Sequence, residues 1–195
     1  MELYVNGSKL DVELENEKTI GDVLKSFETE CQKTNATTVN IAVDGCNVPP
    51  EDFEKVSAQP LKDDTKIELG VISQAAIEAS FEQEKIFCHK LSGELKELSL
   101  KFQSGNDKEA NIMIASLADL IDNICHTASL SALFPERFGN LKIDNKSFSE
   151  FFSEFSQIFK DFEQAISSGD TVLMGDLAEY EISPRLEQLA DSLEE

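Results

Sequence analysis

The chain has 195 residues, 41% hydrophobic and 28% charged, enough for one large domain or two small ones. Its net charge of −21 is shared along its length, with 15 acidic and 7 basic side chains over residues 1–70 and 23 and 10 over 71–195. A surface this acidic repels phosphate backbones and anionic lipid, so nucleic acid and membranes are excluded as expected partners, and a protein with a basic surface is favoured.

Glu2 to Val5 alternates apolar and polar positions, with Leu3 and Val5 on one face, and reads as a strand. Asn6-Gly7 is a hairpin turn signal, because both residue types tolerate positive φ. Leu10, Val12 and Leu14 then alternate with Lys9, Asp11 and Glu13, which predicts a second strand with an inward apolar face. Thr19 is placed to cap a helix over residues 20 to about 33, with Ile20, Val23, Leu24 and Phe27 as its apolar stripe. Val39, Ile41 and Val43 predict a third strand that stops at Asp44-Gly45. A Pro49-Pro50 loop and a short turn over 51–56 follow, and Ile67, Leu69 and Val71 form the last strand.

Hairpin, helix, strand, irregular crossing and strand, with Thr19-Ile20 opening the helix, resembles the ubiquitin-like β-grasp fold over residues 1–71. Ubiquitin and the sulfur carriers of that family end in a free Gly-Gly tail. Here Leu69-Gly70-Val71 runs into more protein and the sequence ends in Glu194-Glu195, so conjugation and sulfur transfer are not expected. The apolar patch on ubiquitin's open sheet face is also missing. The outward residues Glu2, Lys9, Asp11, Glu13, Lys66 and Glu68 are charged, with only Tyr4 and Ala42 to interrupt them.

Residues 72–195 read as an antiparallel bundle of about four helices. The first spans 73–103, with Ile77, Phe81, Cys88, Leu91, Leu95, Leu98 and Phe102 on one face. Ser104-Gly105-Asn106 breaks it, and Asp107 is placed to cap a second helix over 108–133 that buries Ala110, Ile114, Leu117, Ile121, Ile124 and Ala128. Ser147 and Glu150 have capping-box spacing for a third helix. Its phenylalanines 148, 151, 152, 155, 159 and 162, with Ile158 and Ile166, form one core-facing arc. Ser167-Ser168-Gly169 ends it and Asp170 caps the fourth. There Leu173, Leu177 and Tyr180 share one face and Ile182, Leu186, Leu189 and Leu193 another, with a kink expected at Pro184. The second stripe either folds back on the protein or docks a partner helix or second copy.

Cys88-His89 and Cys125-His126 hold both histidines of the chain, in a pairing that would suit zinc or a Cys/His nucleophile. Adjacent helical residues point about 100° apart, which works against convergence of all four. No phosphate loop, GxSxG, HExxH or calcium-loop pattern is present, and no cofactor is expected. The connection over 134–146 carries Phe134, Arg137 and Phe138, a second candidate contact surface.

No apolar run approaches the roughly 20 residues of a membrane span, the first residues lack a signal-peptide pattern, and the cysteines at 31, 46, 88 and 125 lack CxxC spacing. The expectation is a cytoplasmic α+β protein, with a β-grasp over 1–71 and a helical bundle over 72–195. It acts as a non-enzymatic adaptor, assembly or regulatory factor through Ile182, Leu186, Leu189, Leu193, Phe134, Arg137 and Phe138. The alternatives are a metal-binding or enzymatic bundle using Cys88, His89, Cys125 and His126, and a homo-oligomeric structural subunit, a homodimer in the simplest case.

Overall fold

A computed structural model describes residues 1–193, so Glu194 and Glu195 lie outside the described residues. The chain is α+β and divides into two compact units, residues 1–76 and 77–195. Strand β1 (Glu2–Val5) and strand β2 (Ser8–Leu10) are joined by Asn6 and Gly7, both at positive φ, which gives the tight hairpin its twist. Helix α1 (Ile20–Lys33) opens on a complete capping box between Thr19 and Asp22. Strand β3 (Ala36–Val43) turns at Asp44 and Gly45, again at positive φ, into the two-residue β4 (Cys46–Asn47). A 3-10 turn (Pro50–Asp52) and the short α2 (Phe53–Ser57) lead to β5 (Lys66–Ser73).

The five strands form one mixed sheet in the order β2-β1-β5-β3-β4, with β1 parallel to β5 and the other pairs antiparallel. Leu3, Val43, Ile67 and Leu69 pack against Ile20, Val23 and Leu24 of α1 as the core of this unit. The Asn6 side chain clasps β5, donating to the Val71 carbonyl at 3.0 Å and accepting from the Val71 amide at 2.9 Å.

Two sequence expectations are corrected here. The strand through Leu14 stops at Leu10, and Leu10, Val12 and Leu14 are all exposed. Pairing ends at Leu3↔Leu10 because β1 begins at Glu2, so the chain beyond Asp11 has no backbone to face. Val39 is not inward with Val43. A bulge between Thr38 and Asn40 shifts the alternation and leaves Val39 47% exposed.

In the second unit the helix expected over 73–103 is two, α3 (Gln74–Leu95) and α4 (Leu98–Gln103). Helix α5 (Asp107–Ser131) has Asn106 at its N-cap position, without a side-chain capping bond, and Asp107, expected to cap it, as its first residue. A four-residue α6 (Pro135–Phe138) precedes α7 (Phe148–Ser168), whose Ser147–Glu150 capping box forms as its spacing predicts and which ends on Gly169 in the left-handed region. Asp170 accepts from the Leu173 amide to start α8 (Thr171–Asp176), which passes through a π-turn (Leu177–Ile182) into α9 (Ser183–Ser192).

The buried positions of α3 and α5 follow a heptad rhythm. In α3 and α4 the heptad positions are Ile77, Phe81, Glu84, Cys88, Leu91, Leu95 and Leu98, with Ser92 also buried beside them. In α5 they are Ala110, Met113, Leu117, Leu120, Ile124, Thr127 and Ser131. Ile114, Ile121 and Ala128, expected in that stripe, sit half-buried at its edge, because the true seam lies one position away.

The terminal helix is corrected most. Leu173 and Tyr180 are exposed, and the buried line is Met174, Ala178, Ile182, Leu186 and Leu189. Steps of four overshoot one α-helical turn by about 40°, so such a line would spiral off the core face. The wider π-turn takes more residues per turn and offsets that drift, and it lies just before Pro184, which has no amide to donate. The expected kink at Pro184 is thus a π-turn that keeps one face continuous.

Gly175 marks close packing between α8 and α4. A Cβ there would lie 2.6 Å from Ser99 Cβ, whereas one on Gly93 would meet nothing within 4 Å. Gly175→Ala is therefore expected to destabilise the protein by about 1–3 kcal/mol in urea unfolding. Gly93→Ala, within α3, is expected to stabilise it by about 0.5–1 kcal/mol in the same assay.

Candidate functional site

The residues proposed from the sequence as a terminal docking stripe are core. Ile182, Leu186 and Leu189 have no exposed surface and pack with Leu91, Leu95, Phe151 and Phe155 in the single apolar cluster of this unit, with Leu193 packed partly buried against it. A polar seam locks α9 onto α3. The buried Ser183 hydroxyl donates to the Ser92 carbonyl, the Ser92 hydroxyl donates to Glu187 at 2.9 Å, and Lys96 donates to the same Glu187 oxygen at 2.8 Å. Enclosed in this way, Ile182, Leu186 and Leu189 offer no surface to a partner or a second copy, which corrects their expected place in a docking stripe. The 134–146 connection also folds down. Phe138 is buried against Phe81 at 5.8 Å between ring centroids, Phe134 is half-buried, and Arg137 pairs with Glu78 at 2.8 Å. Ile143, fully buried, anchors the far end through a tight turn to Lys146.

The cysteine–histidine quartet does not converge. Cys88 is fully buried, and burial, with a smaller contribution from Glu84, pushes its thiol up to about 12. His89, Cys125 and His126 are exposed. Burial also raises the Cys125 thiol, with Asp122 and Glu84 adding. Among the described residues no group of three or more His, Cys, Asp or Glu side chains is placed to hold a metal ion. A thiol held protonated in the core is a poor nucleophile, so Cys88 and His126 do not make an activated pair.

Two other places stand out. The first is a groove of mixed polarity, about 550 Å³, between α3 and α5, lined by Ser80, Glu84, Phe87, Asp119, Leu120 and His126 among others. Glu84 is only 7% exposed. Its Oε1 accepts from the Thr127 hydroxyl, and its Oε2 has no hydrogen-bond partner among the described residues. Burial raises its carboxyl above the ordinary value of 4.5, against the Thr127 hydrogen bond, which lowers it. The signal for this residue was legible as a gap: Glu84 fills the one position missing from the apolar series 77, 81, 88, 91, 95, 98.

The second is an apolar groove of about 770 Å³ in the sheet unit, lined by Val39, Ile41, Val48, Pro49, Pro50 and Phe53 with three polar neighbours. Val39 and Phe53 are 47% and 41% exposed. The bulge turns Val39 outward, and the 3-10 turn that begins at Pro50 sets Phe53 beside it. The next residues are acidic and exposed: Glu51, Asp52 and Glu54. Neither feature is legible in the sequence, where Val39 is one of the alternating residues of a strand and Phe53 falls in a short turn. The open sheet face is charged, as expected, with Glu2 paired to Lys9, Lys66 paired to Glu68 at 2.8 Å, and Lys66 4.7 Å above the Tyr4 ring. Among the described residues no helix is long and apolar enough to cross a membrane.

Thiol titration with a coloured disulfide reagent is expected to label the exposed Cys46 and Cys125 in the native protein, and Cys31 and Cys88 only on unfolding. Glu84 also carries a pH signature. An acid with a raised folded-state pKa contributes stability fully below its ordinary value and loses it as pH rises through the folded value. The stability of wild type relative to Glu84→Gln is therefore expected to be flat below about pH 4 and to fall as pH rises above it, read from urea midpoints across the range.

Comparison with known proteins agrees with this division. The TP0873 N-terminal domain model matches residues 1–73, and the model for a domain of unknown function, DUF8042, matches residues 80–192. An uncharacterized protein of Treponema pallidum (strain Nichols) is 28% identical over 193 residues, which cover 99% of this chain and 96% of the relative. No solved structure matches the chain. With more than half of its residues under the second model, the chain belongs to the DUF8042 family.

Proposed function

We propose that the protein is a non-enzymatic interaction module, an adaptor, assembly or regulatory factor, that holds an extended basic segment of another protein in the groove at Val39, Pro50 and Phe53. The observation that carries this reading is a groove of exposed apolar residues whose Pro50 and Phe53 are followed in the chain by exposed acids. Val39 and Phe53 offer an anchor side chain a place to lose water, and Glu51, Asp52 and Glu54 offer lysine or arginine neighbours an opposite charge. The net charge of −21 adds a long-range attraction to the same class of partner.

We read the unit that carries the groove as a ubiquitin-like β-grasp. Its support is the order β2-β1-β5-β3-β4, with β1 and β5 parallel at the centre and α1 packed on the sheet. The groove is not on the open sheet face, which carries the Glu2, Lys9, Lys66 and Glu68 pairs. We place the protein in the cytoplasm on its four free cysteines, which suit a reducing compartment.

A photo-activated benzoylphenylalanine installed at Phe53 tests the reading, with the same group at the exposed Ile112 of α5 as a reference surface. The expected result in cells is an adduct from position 53 to one protein with a basic segment. Val39→Asp should cut its yield by about tenfold, as the loss of one apolar anchor implies, and raised salt should weaken it in extract. An adduct profile no different from that at Ile112, or only a cross-link between two copies of the chain, overturns it.

A further inference from the structure

We propose that the α3–α5 groove binds a primary ammonium group, which sits between Glu84 and Asp119 and hydrogen-bonds the unpaired Glu84 Oε2. Three observations converge on this chemistry. The first is the orphaned oxygen. Glu84 is more than nine-tenths buried and lines the groove, yet Oε2 has no donor among the described residues. A buried carboxylate oxygen left unpaired is costly, and a ligand that brings a donor to it recovers that cost.

The second is the charge of the lining. Glu84 and Asp119 are acidic, His126 is the only residue of basic type in it, and there is no lysine or arginine. A cation entering here meets no lysine or arginine among these side chains. Ser80, Gln83, Ser116 and Asn123 supply further hydroxyl and amide oxygens for its remaining protons. No three of the acidic, histidine or cysteine side chains are placed for a metal ion among the described residues, which directs the reading to an organic cation.

The third is the number of oxygens on offer. Oε1 already accepts from the Thr127 hydroxyl, which competes with a second donor there, and Oε2 is the oxygen without a donor. A guanidinium binds a carboxylate best through two parallel hydrogen bonds and needs both oxygens. A primary ammonium is a compact charge with three rotatable donors, which suits one oxygen of Glu84, one of Asp119 and one neutral acceptor. The volume of about 550 Å³ accommodates a small amine or the end of a lysine side chain.

The experiment uses the full chain, isotope-labelled, and follows its amide resonances during titration with 1,4-diaminobutane and, separately, with Nα-acetyl-lysine methylamide. These arms separate a free amine from a peptide-borne lysine. Methylguanidinium and tetramethylammonium serve as probes that carry the charge without the matching donor pattern. The expected result is saturable shifts at residues 80, 83, 84, 119, 123 and 127 with at least one of the primary amines. Affinity should fall about tenfold or more in Glu84→Gln, as the loss of one hydrogen bond to a charged group implies, and hold in Glu82→Gln on the exposed side of the same helix. Asp119→Asn, an exposed position, should weaken binding as well, and serves if Glu84→Gln does not fold. Shifts that never saturate, that are matched by tetramethylammonium, or that survive Glu84→Gln and Asp119→Asn unchanged overturn the proposal and leave a groove that takes up only water.

Discussion

The helical unit depends on how closely its last segment lies against its first. Gly175 leaves no room for a side chain beside Ser99, and Ser183 reaches the backbone carbonyl of Ser92. With those contacts made, Met174, Ala178, Ile182, Leu186 and Leu189 close over the apolar cluster built by α3, α5 and α7. The π-turn before Pro184 is what allows one helical line to stay on the core for four turns. Without it, the three steps of four would turn Leu186 about 120° away from Met174, toward the edge of a core-facing stripe.

A core closed this tightly makes its polar exceptions informative. Ser92 and Ser183 are buried and fully engaged, and they join α3 to α9 with Glu187 and Lys96 at the rim. Glu84 and Thr127 are a different case. They sit at heptad positions of α3 and α5, where an apolar pair would pack without cost, and one carboxylate oxygen remains unmatched. Burial raises the carboxyl and also helps hold Cys88, one turn on, in its protonated form. A groove that reaches this buried acid opens along the same seam.

The sheet unit manages its surface in another way. Its turns take positive φ at Asn6-Gly7 and Asp44-Gly45, and its open face is paired off by charge. Glu28 of α1 reaches over to accept from the Thr38 amide at 3.1 Å, next to the bulge. The bulge then puts an apolar side chain where the alternation would have kept it inside. Val39, Phe53 and the two prolines form an apolar groove on an otherwise acidic unit, and a low-polarity site within a field of one sign is where a partner of opposite charge gains from both desolvation and attraction.

What the sequence determined by itself is local. The two positive-φ turns, the capping boxes at Thr19 and Ser147, the stop at Gly169 and the stripe of α3 depend on residues within a turn or two, and each is legible from spacing alone. The tertiary structure decided which apolar residues lie inside. Leu10, Val12 and Leu14 have a strand's alternation but lie at and beyond the end of a sheet edge, and Val39 is displaced by one inserted residue. The stripe at Ile182, Leu186 and Leu189 looked free because a sequence does not tell what a face packs against, and it is covered by α3 from ninety residues away. The same holds for Glu84 and Thr127, 43 residues apart, whose meeting makes the groove. Periodicity specifies that a face is apolar or interrupted, whereas burial and pairing depend on the element that comes to lie opposite, and that is a property of the packed chain.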